Sequence, residues 1–162
     1  MLRSEDVTST SVTLVGTIAA LLARDTNVIL LSLSLAAAPK ALPSLYAVPA
    51  DGKKRLLLIT AEDSILFIAA FLGYLFTAGT GDQKFAILGL TIAAVGKTVP
   101  SLVEGATHKG DSAPKHSLTE DWMMFGITFV SVALWDATGN PAYAIYGLVF
   151  AFTAKGLGSF GE

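Results

Sequence analysis

Long apolar runs alternate with short polar breaks along the whole chain, and this pattern predicts six helices. The breaks at 24–27, 79–82 and 136–141 hold Gly, Asp, Asn or Pro, which favour turns. The segments therefore pair into three hairpins, each with a first segment (A) and a second segment (B). The A and B segments cover, in chain order, residues 11–23, 28–45, 64–78, 85–103, 122–135 and 142–160.

The three hairpins are copies of one sequence repeat. With Asp6, Asp63 and Asp121 aligned as origins, every aspartate is followed 34 positions later by a lysine. Four other columns are also identical, namely Glu5/Glu62/Glu120, Leu33/Leu90/Leu148, Ala36/Ala93/Ala151 and Ser44/Ser101/Ser159. Such self-similarity predicts one domain, 1–162, built from repeats 1–58, 59–116 and 117–162. We expect the three hairpins to form a pseudo-threefold bundle; the alternative is three hairpins in a row.

Composition suggests a bilayer as the surroundings. The chain is 52% hydrophobic and 15% charged, against about 25% charged residues in a typical soluble domain. Segments such as 65–76 and 125–134 have no polar face, and an 18-residue helix spans about 27 Å, close to the hydrocarbon thickness. We therefore expect an all-α integral membrane protein with six transmembrane helices; the alternative is a soluble bundle. Pro43 and Pro100 are expected to end their B helices.

The basic residues predict an orientation. Nine Lys and Arg lie on the side of both termini and only Arg24 and Lys84 lie on the side of the hairpin turns. The positive-inside rule then places both termini on the cytoplasmic, inner side of the membrane.

A repeated charge network is the first candidate site. The aspartate begins each A helix and the lysine lies near the end of each B helix, so the two meet at one end of an antiparallel hairpin. A structural hypothesis is an ion-pair network that joins the helices, and a functional one is a charged gate. The network comprises Glu5, Asp6, Lys40, Glu62, Asp63, Lys97, Glu120, Asp121 and Lys155.

A packing seam of small residues accompanies each lysine. Spacing by four places these residues on one face of the B helix, where small side chains let helices approach closely. The seam comprises Ser32, Ala36, Ser44, Gly89, Ala93, Ser101, Gly147, Ala151 and Ser159.

Other chemistry is sparse. The chain has no cysteine, so disulfides and thiolate sites are excluded. His108 and His116 lie in a polar linker and are interpreted as exposed residues rather than a metal pair. A net charge of −2 offers no basic field for nucleic acid. We expect no enzyme activity, no cofactor and no metal.

Two functions fit this pattern. The first is a non-catalytic integral membrane scaffold, a structural or accessory subunit of a membrane complex or a membrane-containing virion. Its partners would be the lipid bilayer and other membrane proteins or copies of itself. The alternative is a small ion or solute channel or transporter along the pseudo-threefold axis, with polar lining from Thr91, Thr128, Ser131 and Thr153.

Overall fold

Six helices form where the apolar pattern predicts them. The computed structural model describes the backbone of residues 4–46, 53–107 and 115–158, and the side chains of residues 8–38, 65–99, 103 and 121–154. Every element in these ranges is an α-helix. The helices are α1 (Ser4–Ala23), α2 (Thr26–Tyr46), α3 (Lys53–Thr80), α4 (Lys84–Thr107), α5 (Lys115–Thr138) and α6 (Pro141–Gly158).

The helix ends differ from the predicted ones on the side of the termini. The A helices α1, α3 and α5 begin several residues before their apolar segments. The B helix α2 continues past Pro43 to Tyr46, and α4 continues past Pro100 to Thr107. The helix ends predicted at these prolines are therefore wrong. An interior proline removes one helical hydrogen bond, and the following turns form in spite of it.

The hairpins close into a ring. The most extensive contacts join α1 to α2, α3 to α4 and α5 to α6, and the hairpins meet through α2–α3 and α4–α5. Helix α1 also packs against α6. Contacts among α2, α4 and α6 place the B helices at the centre and the A helices outside them.

The core is filled from equivalent positions of the three copies. The repeated leucines and alanines, Leu33/Leu90/Leu148 and Ala36/Ala93/Ala151, are completely buried. Each A helix buries one stripe with a spacing of three or four residues, the spacing of a single helix face. The stripes are Ser9, Thr13, Gly16 and Ala20 on α1, Leu66, Ala70, Gly73 and Thr77 on α3, and Met124, Thr128 and Ser131 on α5.

The three hairpin turns share one backbone geometry. Arg24, Gly81 and Gly139 occupy the same place in the repeat and have φ values of 53°, 76° and 69°. This left-handed conformation ends a helix readily when the residue is glycine, and costs about 1–2 kcal/mol when it carries a Cβ atom. The turn of the first copy is therefore strained relative to the other two.

The residue after each left-handed position caps the B helix. The Oδ1 atoms of Asp25, Asp82 and Asn140 accept hydrogen bonds of 2.9, 3.0 and 3.0 Å from the backbone N–H groups of Asn27, Lys84 and Ala142. Such caps satisfy amide groups that the first helical turn leaves without a partner. Local chemistry thus fixes where each chain reversal occurs.

The prediction of an integral membrane protein with transmembrane helices is wrong. In the described part of the chain, no helix combines the length and the apolar character that crossing a membrane requires. A spanning helix needs about 20 predominantly apolar residues. The apolar runs of the B helices reach only from 28 to 39, 85 to 96 and 142 to 154 before a lysine follows.

The predicted orientation in a membrane is wrong for the same reason as the predicted membrane spans. Placing the termini on the cytoplasmic side of a membrane assumed helices that cross it, and the described helices do not meet that condition. A channel across a membrane along the bundle axis rested on the same assumption about the helices.

We predict that Arg24→Gly raises the free energy of unfolding by about 0.5–1 kcal/mol, because relief of the left-handed strain exceeds the entropy that glycine adds to the unfolded chain. Chemical denaturation of the two proteins measures the difference. The matched control, Gly81→Ala, places a Cβ atom on a residue in the same left-handed conformation. It should lower the free energy of unfolding by about 1 kcal/mol. A destabilised Arg24→Gly variant would contradict the assignment of strain.

Candidate functional site: charged positions, hairpin crossings and apolar exterior

Two members of the charge network have described side chains. Asp121 lies on the buried stripe of α5 and is only 2% exposed. Lys97 lies partly buried on α4, directly before the completely buried Thr98. Both residues have an interaction partner. The other seven, Glu5, Asp6, Lys40, Glu62, Asp63, Glu120 and Lys155, lie outside the described side chains, so the network stays a prediction.

The packing seam points into the bundle wherever it is described. Ser32, Ala36, Gly89, Ala93, Gly147 and Ala151 are all buried. Ser44, Ser101 and Ser159 lie outside the described side chains, as do His108 and His116. The small residues on the B helices therefore lie where a close helix neighbour requires them.

Each hairpin has one point of closest approach, which we call the crossing. A Cβ atom on Gly73 would lie 2.6 Å from the carbonyl oxygen of Phe85 and 2.9 Å from Cα of Gly89, so the two backbones touch. In the other hairpins a glycine faces a serine, and a Cβ atom on the glycine would overlap the serine side chain. The crossing pairs are Gly16–Ser32, Gly73–Gly89 and Ser131–Gly147.

The sequence pattern found only one side of these crossings. Ser32, Gly89 and Gly147 belong to the predicted seam, but their partners Gly16, Gly73 and Ser131 on the A helices were not identified. The signal was present, because these three residues share one place in the repeat and all are small. Two amino acids, Gly and Ser, occupy all six crossing positions, with at least one glycine in each pair.

Two sets of polar contacts join the first and second hairpins. Ser34 Oγ donates to the carbonyl oxygen of Ala70 at 3.3 Å as well as to that of Leu30 in its own helix. At the turn end, Gln83 Nε2 donates to Thr26 Oγ1 at 2.7 Å and to Asn27 Oδ1 at 3.0 Å. These bonds fix the relative height of α2 and α3.

Most buried hydroxyl groups are used within their own helices. Thr91 Oγ1 and Ser131 Oγ donate to the carbonyl oxygens four residues earlier, at 2.7 and 2.6 Å. Among the described residues, three threonine hydroxyls have no hydrogen-bond partner in the protein, those of Thr10, Thr128 and Thr153. The same residues include no group of three His, Asp or Glu side chains that could hold a metal ion.

The exterior of the bundle is strongly apolar. Large hydrophobic side chains are exposed on all six helices, including Leu22 on α1 (83% exposed), Phe129 on α5 (66%) and Phe150 on α6 (67%). Two A helices also present stacked phenylalanine pairs at equivalent places in the repeat, Phe67–Phe71 and Phe125–Phe129. Extended apolar surface of this kind is typical of a surface that another molecule covers.

We predict that Gly89→Ala lowers the free energy of unfolding by about 1–3 kcal/mol. The added methyl group would meet the carbonyl oxygen of Ala69 and Cα of Gly73. Backbone atoms on a packed helix cannot move aside as a flexible side chain can. The matched control is Gly126→Ala on α5, where no atom lies within 4 Å of the added group.

Gly126→Ala should raise the free energy of unfolding by about 0.5–1 kcal/mol, because alanine favours the helix more than glycine does. Both variants are compared with the wild-type protein by chemical denaturation. Equal effects of the two substitutions would show that the crossing does not limit the packing of the hairpin.

Comparison with known proteins gives no relative from which a function could be transferred. No protein-family model matches the chain, and no curated protein or solved structure matches it significantly. The surfaces and contacts of the chain itself are therefore what bears on its function.

Proposed function

We propose that this chain is a non-catalytic structural subunit of a larger assembly, in which other protein subunits cover its apolar exterior. The observation that carries the proposal is the exposure of large hydrophobic side chains on every one of the six described helices. Isolated surface hydrophobics are ordinary, whereas apolar surface on all sides of a bundle is not.

The aromatic side chains of the exterior favour protein partners. The outer faces of α3 and α5 carry aromatic side chains one helical turn apart, and these form ridges on a rigid backbone. Aromatic residues of this kind commonly anchor protein interfaces, because they bury a large area with little loss of conformational entropy. Equivalent ridges on two of the three hairpins could contact two similar partner surfaces.

The use of polar side chains supports the non-catalytic part of the proposal. The described Ser and Thr hydroxyls mostly bond to backbone carbonyls of their own helix, as Ser131 does. Described carboxylate and amide groups such as Asp25, Asp82 and Asn140 cap helices. A hydroxyl nucleophile instead needs an adjacent base that is itself oriented by a third group.

The test is the mass and composition of the native particle that contains this chain, released under the gentlest conditions that keep it dispersed. We expect a defined particle that holds several protein chains. Phe129→Glu should reduce its mass while the isolated chain keeps its helical circular dichroism, since the new carboxylate would be buried against a partner. Ala137→Glu, an exposed position on the same helix, is the control and should leave the mass unchanged.

A particle that contains one chain of this protein, with only lipid or detergent around it, would contradict the proposal. So would an assembly whose mass responds equally to Phe129→Glu and Ala137→Glu, because the apolar exterior would then have no special part in holding it together.

A further inference from the structure

The ring of six helices closes where α6 packs against α1. We call this contact between hairpins the closing seam, and it differs from the equivalent contacts α2–α3 and α4–α5. Within the described residues, α1 and α6 share a less extensive contact than α2 with α3 or α4 with α5. Helix α1 carries Thr17 where α3 carries Tyr74, a residue packed against the hydrophobic core. The closing seam is thus smaller than the other two.

The sequence repeat shows which residues of α6 and α1 lie at the same level along the helix axes. Ser34 of α2 contacts Ala70 of α3, and the equivalent residues at the closing seam are Val149 on α6 and Thr13 on α1, both buried. One helical turn nearer the chain termini, this antiparallel arrangement sets Thr153 on α6 at the height of Thr10 on α1. Both of these hydroxyls lack a hydrogen-bond partner in the protein, and Thr10 is only 4% exposed.

The two unpartnered hydroxyls weaken the closing seam further. A hydroxyl that leaves water without gaining a partner opposes burial, whereas a contact such as that between Ser34 and the Ala70 carbonyl supports it. The seam that holds the first and last hairpins together is therefore less extensive than its two equivalents, and the two hydroxyls add to its cost of burial.

The link between α1 and α2 is also the strained one of the three hairpin turns. Only residues 24 and 25 separate the two helices, and Arg24 has a φ of 53° at the place that glycine occupies in the other copies. Opening this turn releases the strain. Short strained hinges of this kind favour exchange of a terminal element between two identical chains.

We propose that α1 is exchanged between two copies of this chain, with the turn at Arg24 as the hinge. In the exchanged dimer, α1 of one copy packs on α2 and α6 of its partner. The Gly16–Ser32 crossing and the packing of α1 on α6 re-form between chains with the same contacts that they make within one chain. Only the hinge changes, which is why a second copy fits this site.

This exchange concerns the interior seam and is independent of which molecules cover the apolar exterior. Its test uses the whole 162-residue chain, in which no native cysteine interferes. A chain carrying Thr10→Cys alone and a chain carrying Thr153→Cys alone are produced together and oxidised, and disulfide-linked heterodimers are quantified by mass. A chain carrying both substitutions reports the contact within one copy.

The matched control is the same experiment with Ser34→Cys and Ala70→Cys across the α2–α3 seam. We expect heterodimers from the Thr10/Thr153 pair and none from the Ser34/Ala70 pair. Adding Arg24→Gly to both chains should reduce the heterodimer yield several-fold, because the unopened turn is then no longer strained.

Several results would overturn the proposal. Heterodimers from both pairs would mean that a whole hairpin is exchanged rather than α1. Closure of the Thr10/Thr153 pair within single chains, with no heterodimer, would show that α1 stays with its own copy. Failure of the doubly substituted chain to close would show that the two positions do not face each other.

Discussion

Backbone contact at the hairpin crossings is the constraint on which the rest of this structure depends. Gly73 and Gly89 touch through backbone atoms, and the other two crossings pair a glycine with a serine. Once a B helix lies this close to its A helix, its leucine and alanine at Leu90 and Ala93 reach the bundle centre. The turns then have little length to span, which accounts for the tight left-handed geometry at Gly81.

The same constraint explains the apolar exterior. An A helix that meets the bundle through one stripe of small or medium side chains has its remaining circumference turned outward. The residues on that circumference are large and hydrophobic, as Val15 and Phe129 show. Tight internal packing and a large uncovered apolar surface are thus two results of one helix arrangement.

The helices could be predicted from the sequence more fully than their packing partners and surroundings. The apolar runs and turn residues predict six helices, because local chemistry such as the Asp25 and Asn140 caps determines where a helix starts. The partner residues Gly16 and Ser131 were not found, since a small residue becomes a crossing only in three dimensions. The membrane prediction was wrong because hydropathy counts apolar residues without regard to the lysines that interrupt them.

The most direct measurement of the crossing constraint exchanges the two residues of one pair. In denaturant unfolding, Gly16→Ser alone should be strongly destabilised, since its side chain would overlap that of Ser32. The double variant Gly16→Ser/Ser32→Gly reproduces the Ser131–Gly147 arrangement of the third copy and should recover most of the wild-type stability. If the double variant is no more stable than the single one, the crossings are not equivalent and do not control the fold.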